Sequence, residues 1–205
     1  MQPSDTSYTA SNVEPAPVTK RKRPHPGERR VQILQVLAQM LEEPSPDRVT
    51  TSALAQRLAV SEAALYRHFA SKAQMFEALI DFIETSMSEQ LSQIAQGEPV
   101  GTARARRIVV MTLQFGEKNP GMSRVMVGDA LVFEHERLQQ RMNQFFDKFE
   151  TALCQGLHEM PDNAEAQTSA SALTAFVIGR LQRFARSGFR RQPTERLDEC
   201  LARML

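Results

Sequence analysis

The chain has 205 residues, a net charge of +1, ten methionines, two cysteines and no tryptophan. Its length allows one or two domains, and the low share of β-branched residues favours helices over strands. No apolar run reaches the length of a transmembrane helix and the N-terminus lacks a signal-peptide core, so we expect a cytoplasmic protein without a membrane partner. Cys154 and Cys200 stand apart without CxxC spacing, which predicts reduced thiols rather than a disulfide or a metal site.

Positive charge is concentrated towards the N-terminus. Residues 20–72 carry ten Lys and Arg against five Asp and Glu, a sum of +5, whereas residues 1–19 and 73–205 each sum to −2. A local excess of this kind is typical of a surface that meets phosphates.

The first 27 residues predict a disordered tail, because they hold five of the eleven prolines and almost no large apolar side chains. The tail ends in the basic run 20–23, sequence KRKR. This run is either a solvated linker or an arm that lies on a DNA backbone or in its minor groove. We favour weak phosphate attraction without reading of the base sequence.

A first helix is predicted next, ended by the segment 42–46, sequence EEPSP, because proline cannot continue the hydrogen-bond ladder. Its apolar positions recur at helical spacing: Val31, Leu34, Leu37, Ala38 and Leu41.

The segment Val49–Ala78 predicts two short helices joined by a tight turn, and then the start of a longer helix. Hydroxyl side chains suited to helix capping precede all three: Thr50 and Thr51, then Ser61, then Ser71 in a capping-box pattern with Gln74. The turn falls at Ala59-Val60, and the apolar positions expected to be buried are Leu54, Ala55, Leu58, Leu65 and Phe69.

Two helices this short cannot bury a core alone, which indicates a helix-turn-helix whose second helix enters the DNA major groove. The outward face of that helix carries Ala63, Ala64, Tyr66 and Arg67. Small residues allow close approach to bases, and arginine is the commonest reader of guanine. From spacing alone, an ordinary helical hairpin with a solvated arginine is the alternative interpretation.

The stretch ALAQRLAVSEAALYRHFASKAQMFEAL resembles the DNA-binding signature of the TetR family of bacterial regulators, most specifically over Ala64–Lys72. We assign the DNA contacts to ten residues: Thr50, Thr51, Ser61, Glu62, Ala63, Ala64, Tyr66, Arg67, His68 and Lys72. One departure is Ala59, where the family often has glycine. Alanine tolerates a positive φ less well, so we expect a slightly different turn.

The remaining chain predicts more helices. A long apolar stripe indicates a connecting helix before a break at residues 97–99: Phe76, Leu79, Ile80, Ile83, Met87, Leu91 and Ile94. A helix over Ala103–Lys118 is closed by the turn signal 119–121, sequence NPG. Two later helices, separated at residues 161–163, show wide apolar faces: Leu138, Met142, Phe145, Phe146, Phe149, Leu153 and Leu157, then Leu173, Phe176, Val177, Leu181 and Phe184.

These elements predict an all-α protein with a tail (1–27), a helix-turn-helix domain (28–72) and a larger helical domain for dimerisation and partner binding (73–205). A palindromic site is bound by two copies of the DNA-binding domain, which requires a dimer. A symmetric interface between helices of the two copies is therefore the simplest expectation. A purely intrachain core is the alternative that helical periodicity leaves open.

Catalysis finds little support. Neither His135 nor His158 completes an HExxH motif, because Gln139 and Asp162 occupy the positions of the second histidine. There is no glycine-rich phosphate loop or nucleophile elbow. We therefore predict a non-enzyme with no catalytic residues, cofactor or metal.

The larger domain resembles the nucleoid occlusion factors within the TetR family, in the stretches 115–124, 130–150 and 183–194. The resemblance implies a nucleoid-associated homodimer that binds palindromic double-stranded DNA and then engages the division protein FtsZ, preventing ring assembly over the chromosome. The FtsZ-binding residues that it implies are Phe82, Met111, Gln114, Lys118 and Asn119.

A short, apolar and acidic FtsZ tail would suit a groove with an aromatic floor at Phe82 and a basic rim at Lys118. Each position also has a structural interpretation: Phe82 and Met111 as core, Lys118 as a solvated charge, Asn119 as a turn residue. Departures from the family lie at Gln90, where a basic residue is usual, at Gln114, where glycine is usual, and at Lys118, which lacks arginine's planar fork.

The alternative function is a ligand-responsive transcriptional repressor of the TetR type. It would need a closed pocket with a few converging polar groups in the larger domain. A small-molecule ligand is not expected, but the sequence leaves this open.

Overall fold

The computed structural model describes residues 26–43, 48–157 and 163–205. Within these ranges every regular element is helical, which confirms the all-α prediction. The helices are α1 (Pro26–Leu41), α2 (Thr51–Arg57), α3 (Glu62–Tyr66), α4 (Lys72–Gly97), α5 (Thr102–Lys118), α6 (Pro120–Met126), α7 (Glu136–Gly156), α8 (Asn163–Arg186) and α9 (Leu197–Met204), with a 3-10 turn at Asp129–Leu131. The predicted basic run 20–23, the prolines of segment 44–46 and the His158-Glu159 pair lie outside the described residues.

Helix α1 ends where the sequence predicted, and Leu37 and Leu41 are buried as predicted, with Leu34 and Ala38 partly buried. Ile33, Leu37 and Leu41 are buried, each four residues from the next and therefore on one face. Val31, predicted to be apolar core, is exposed, because two residues turn the helix by about 200° to the opposite side. The prediction for Val31 is wrong, and the spacing rule missed Ile33.

All three predicted caps form. The Thr50 hydroxyl accepts the N–H of Ala53 at 3.1 Å, and Ser61 Oγ accepts that of Ala64 at 3.3 Å. Ser71 Oγ accepts the N–H of Gln74 at 3.2 Å. The returning bond of the capping box is displaced by one residue, because the Gln74 amide oxygen accepts the N–H of Ala70 at 2.9 Å.

The turn between α2 and α3 closes in a left-handed residue, although that residue is alanine. Ala59 has φ of +52°, the N–H of Val60 donates to Ala55 O at 3.0 Å, and the N–H of Ala59 donates to Gln56 O at 3.0 Å. This pair of bonds is a Schellman motif, which usually places glycine at the left-handed position. Alanine therefore takes the strained conformation rather than avoiding it.

Ala59→Gly is expected to raise the free energy of unfolding by about 0.5–1 kcal/mol, because glycine removes a left-handed strain of about 1–2 kcal/mol at some cost in entropy. Urea unfolding at fixed protein concentration measures the change. The matched control is Ala95→Gly, at an exposed position in the last turn of α4, where a loss of up to about 1 kcal/mol is expected. A similar loss from both substitutions would contradict the assigned turn.

Helix α4 carries the predicted stripe into the core. Phe76, Leu79, Ile80, Ile83, Met87 and Ile94 are buried and Leu91 is partly buried. The helix contacts α1 as well as α5, α6 and α7, so it connects the N-terminal helices to the rest of the fold.

Segment 119–121 was predicted as a turn, but it does more than end α5. Pro120 is the first residue of α6, a position that suits proline because its missing N–H has no partner there. Gly121 lies against α1, where a Cβ would stand 2.5 Å from Ala38 O. Only glycine permits this approach, which docks the first helix directly on the larger domain.

The wide apolar faces of α7 and α8 are largely buried by contacts within one chain. All seven predicted positions from Leu138 to Leu157 are buried, and α7 packs extensively on α8. The Phe145 and Phe146 rings pack edge to face with their centroids 5.2 Å apart, a favourable aromatic geometry. The α7 stripe is thus an intrachain core. Among the described residues, no helix is long and apolar enough to cross a membrane.

Candidate nucleic-acid interface and partner groove

Helix α3 presents the predicted reading face to solvent. Ala63, Tyr66 and Arg67 are exposed, whereas Leu65 and Phe69 are buried. Phe69 lies beyond the end of the helix, in the loop that leads to α4. The exposed face combines a small residue, an aromatic hydroxyl and a cation, which suits contact with base edges and phosphates.

Two threonines use their hydroxyls differently. Thr51 Oγ1 donates to Glu62 Oε2 at 2.7 Å and so ties the start of α2 to the start of α3. Thr50 Oγ1 accepts the capping N–H of Ala53, which leaves its own proton available to donate. Of the two, Thr50 is the better placed to donate to a phosphate oxygen.

The structure adds a residue that sequence reasoning missed. The guanidinium of Arg30 lies over the Phe69 ring, 4.1 Å from its centroid, and donates to the carbonyl oxygen of His68. Helix α1 thereby holds the loop that follows the reading helix. His68, a predicted DNA contact, is partly buried, and its carbonyl is already bonded to Arg30.

Lys72 is set apart from the other predicted contacts. Its ammonium pairs with Glu134 at 2.5 Å and lies 5.6 Å from the Phe76 ring centroid. The side chains are 19% and 8% exposed, so the pair lies largely buried between α4 and the loop before α7. A phosphate contact by Lys72 would require this pair to open.

The predicted partner residues gather along α4 and α5. The Phe82 side chain is 50% exposed, with its ring 6.3 Å from the Phe115 ring. Gln114 and Lys118 are exposed on α5, whereas Met111, three residues before Gln114, is buried, as its interpretation as core predicts. The interpretation of Phe82 as core is wrong, because half of its surface faces solvent.

Asn119 serves as a turn residue in this arrangement. Its side-chain Nδ2 donates to Phe115 O at 2.8 Å, and its N–H donates to the same oxygen at 3.0 Å. These bonds close the last turn of α5 beside Lys118.

A groove of about 310 Å³ runs between α4 and α5. It is lined by Gln90, Gln93, Ile94, Gly97, Glu98, Arg107, Met111 and Gln114. Two of the predicted partner residues, Met111 and Gln114, belong to this lining, as does the departure at Gln90.

Two acidic residues close to Phe82 in sequence are paired with an arginine on α7. Arg141 donates to Glu84 at 2.5 Å and to Asp81 at 2.6 Å. These hydrogen bonds, first that to Glu84, raise the pKa of Arg141 above its ordinary value. The carboxylates next to Phe82 are therefore paired, and they repel an acidic partner less.

A second cavity, of about 190 Å³, lies between the DNA-binding helices and the body. Its lining mixes both signs of charge with apolar side chains: Leu41, Arg48, Val49, Phe76, Arg124, Asp129, Ala130, Phe133 and Glu134. Burial lowers the pKa of Arg124, and the Asp129 charge partly opposes this shift. The volume of this cavity is below the range of about 300–1,000 Å³ usual for small-molecule sites.

Two family profiles cover most of the folded chain. Residues 33–79 match the profile of the bacterial regulatory proteins of the tetR family. Residues 101–204 match an SlmA-like profile described as a tetracyclin repressor-like, C-terminal domain.

Curated relatives agree with these profiles. The chain is 48% identical to the nucleoid occlusion factor SlmA of Pectobacterium carotovorum, over 83% of this chain and 89% of the relative. It is 47% identical to SlmA of Vibrio vulnificus, over 85% and 92%. For SlmA of Photobacterium profundum the identity is 46%, over 83% and 90%.

Solved structures show the same fold at low sequence identity. The regulator FadR of Bacillus subtilis, in complex with stearoyl-CoA, has a TM-score of 0.63 at 11% identity, over 85% of this chain and 96% of that one. FadR of Bacillus halodurans gives 0.62 at 16% identity, over 90% and 96%. A TetR/AcrR-family regulator from Thermobifida fusca gives 0.59 at 18% identity, over 86% and 96%. At these identities the likeness concerns the fold alone.

The profiles and relatives describe a DNA-binding regulator rather than an enzyme, and they support double-stranded DNA and a second copy of the chain as its partners. The exposed α3 face and the capped helices around it agree with that assignment. The chain belongs to the TetR family of DNA-binding regulators and, within it, to the nucleoid occlusion factors of the SlmA type.

Proposed function

We propose that this protein binds palindromic chromosomal sites as a homodimer and, when bound, inhibits assembly of the FtsZ ring over the nucleoid. The observation that carries the FtsZ half of the proposal is the half-exposed Phe82 ring on α4, the helix that also lines the α4–α5 groove two turns further on. A large aromatic side chain that stays in solvent, near a groove and a free cation, is typical of a peptide-docking surface.

The proposed DNA surface consists of α3 and the capped start of α2. Arg67 would read base edges, while Tyr66 and Thr50 would bind phosphate oxygens. Thr51 and Glu62 would act mainly by fixing α2 against α3, since their side chains bond to each other. Association with the nucleoid follows from this binding.

The proposed FtsZ surface consists of Phe82, Met111, Gln114, Lys118 and Asn119. Phe82 and Met111 offer apolar contact, and Lys118 offers a charge to an acidic tail. Asn119 would act by shaping the end of α5, because its side chain is bonded to Phe115 O.

The direct test is assembly of purified FtsZ with this protein, with and without a duplex that carries its binding site. We expect light scattering and sedimentation of polymers to fall only when protein and duplex are both present. FtsZ polymers indifferent to the protein–DNA complex would show the division role to be wrong.

The distribution of binding sites separates the proposal from a ligand-responsive repressor. Sites scattered around the chromosome are expected for nucleoid occlusion. A single site beside the protein's own gene would favour the repressor.

Phe82→Ala is expected to weaken FtsZ binding about tenfold or more while DNA affinity stays unchanged, because a buried aromatic anchor commonly carries about 2 kcal/mol at an interface. Fluorescence anisotropy with a labelled FtsZ tail and with a labelled duplex measures both affinities. The matched control is Phe133→Ala, which removes another exposed phenylalanine away from the groove. Equal loss of DNA and FtsZ binding would mean that Phe82 is structural.

A further inference from the structure

We infer that Arg107 is a further partner-binding residue, and that the α4–α5 groove holds an extended peptide with acidic residues at two points about five residues apart. This inference rests on the proposed function, because it concerns the same groove. Arg107 adds a second cation to the proposed partner surface, which already contains Phe82 and Lys118.

Helices α4 and α5 run antiparallel along the groove. At one end the Phe82 ring lies 6.3 Å from that of Phe115. At the other end Arg104 Nε donates to Glu98 O at 2.9 Å, which joins the start of α5 to the end of α4. The groove of about 310 Å³ occupies the part of this seam between Gln90–Glu98 on α4 and Arg107–Gln114 on α5. Lys118 lies one helical turn beyond it on α5, and Phe82 lies about two turns beyond it on α4.

One face of α5 carries both cations, Arg107 in the groove and Lys118 one turn beyond it. Residues 107, 111, 114 and 118 are separated by four, three and four positions, so their side chains lie in one row. The row begins at Arg107 and ends at Lys118, with Met111 and Gln114 between. A partner that follows this row, through the groove and past its end, would meet a cation at each end of the row.

Arg107 is available to a partner, unlike the arginines beside it. Arg106 pairs with Asp198 at 2.7 Å, and Arg104 binds carbonyl oxygens at the end of α4. Arg107 is exposed, and within the described ranges no hydrogen bond or ion pair engages it. Glu98 is the acid in the groove lining, but it lies beside Arg104 as well as Arg107, so positive charge prevails at this end.

The middle of the groove suits a peptide main chain. Gln90, Gln93 and Gln114 present side-chain amides, each of which both donates and accepts hydrogen bonds. The nearly buried Met111 gives an apolar, adaptable floor. Amides flanking an apolar floor can bind the N–H and C=O groups of an extended segment while its side chains alternate between floor and solvent.

The distance between the two cations determines how far apart the acidic residues of the partner peptide must be. Eleven positions separate Arg107 from Lys118, which is about 16 Å along a helix at about 1.5 Å per residue. An extended chain rises about 3.3 Å per residue, so about five residues span that distance. The partner should therefore carry acidic side chains about five residues apart, with apolar residues between them.

The test is anisotropy of a fluorescein-labelled FtsZ tail peptide titrated with the full-length protein on its duplex, at about 0.1 M salt, where charge interactions are only partly screened. We expect Arg107→Glu to weaken the peptide about tenfold and Arg107→Gln to weaken it severalfold. Replacing the peptide's matching acid with lysine should restore binding to Arg107→Glu. The charge-matched control, Lys148→Glu on the exposed surface of α7, should change the affinity less than about twofold.

The outcomes separate this inference from the proposed function. If the wild-type protein binds the peptide and Phe82→Ala weakens it, but Arg107→Glu and Arg107→Gln bind as wild type does, the role of Arg107 is wrong and the proposed function stands. If the wild-type protein does not bind the peptide at all, the proposed function fails and this inference fails with it. Unchanged DNA affinity of both Arg107 variants shows that they are folded.

Discussion

Lys72→Ala is expected to lower the free energy of unfolding by roughly 2–4 kcal/mol, because it leaves the Glu134 carboxylate without its counter-ion. Glu134 is only 8% exposed, so solvent replaces little of the lost interaction. The expected loss of unfolding free energy is smaller than for a fully buried pair, because Lys72 itself keeps 19% of its side-chain surface in solvent. Urea unfolding at fixed protein concentration measures the loss.

The double variant Lys72→Met with Glu134→Leu is the control for this prediction. Replacing both charges with apolar side chains of similar volume should recover most of the lost stability, since neither charge then stays buried alone. A loss from Lys72→Ala below about 0.5 kcal/mol, the level of an exposed pair, would contradict the buried pair.

The same pair decides how Lys72 acts on DNA. If the ammonium is held by Glu134, Glu134→Gln should release it and strengthen DNA binding, with a steeper dependence on salt. If Lys72 already binds phosphate in the complex, Glu134→Gln should change the affinity little. Anisotropy of a labelled duplex at several salt concentrations distinguishes the two results.

Arg67→Ala is expected to cost about 1–3 kcal/mol of binding free energy at the preferred site and to relax the base preference there, if the guanidinium is bidentate to guanine. Arg67 is exposed at the end of α3, where such a contact is sterically open. The measurement is enrichment of binding sites from a random duplex library, followed by affinities for the enriched and scrambled duplexes.

Arg67→Lys is the matched control, because it keeps the charge and loses the planar fork. It should retain nonspecific affinity while losing discrimination at the same base pair. Thr50→Ala should instead weaken binding about equally across sequences, since a phosphate contact carries no base information. Unchanged site preference in both Arg67 variants would remove Arg67 from base reading.

Local chemistry made the helix boundaries predictable. The caps at Thr50, Ser61 and Ser71 each depend on a hydroxyl and an N–H three residues away, so neighbouring residues suffice to predict them. The stripe of α4 was predictable for the same reason, because seven apolar positions at helical spacing outweigh any single contact. The TetR-type signature then identified α3 as the candidate DNA-binding helix.

Predictions failed where the outcome depended on which helix packs against which. Periodicity placed Val31 in the core, but the docking of α1 on α6 selects the line of Ile33, Leu37 and Leu41. That docking requires Gly121 to approach Ala38 O, a contact between residues far apart in sequence. The ion pair of Lys72 was likewise not predictable from neighbouring residues, because its partner Glu134 is 62 residues away. The predicted DNA contact of Lys72 stays a prediction.

The sequence by itself determined the helical elements, their caps and the exposed face of α3, because those properties are set by residues within a turn or two of one another. Only the tertiary structure decided that Phe82 stays in solvent, that Arg30 supports the loop after α3, and that Arg107 lines the same groove as Met111. The physical reason is that exposure and pairing depend on how whole helices are packed, and that packing is a property of the complete fold.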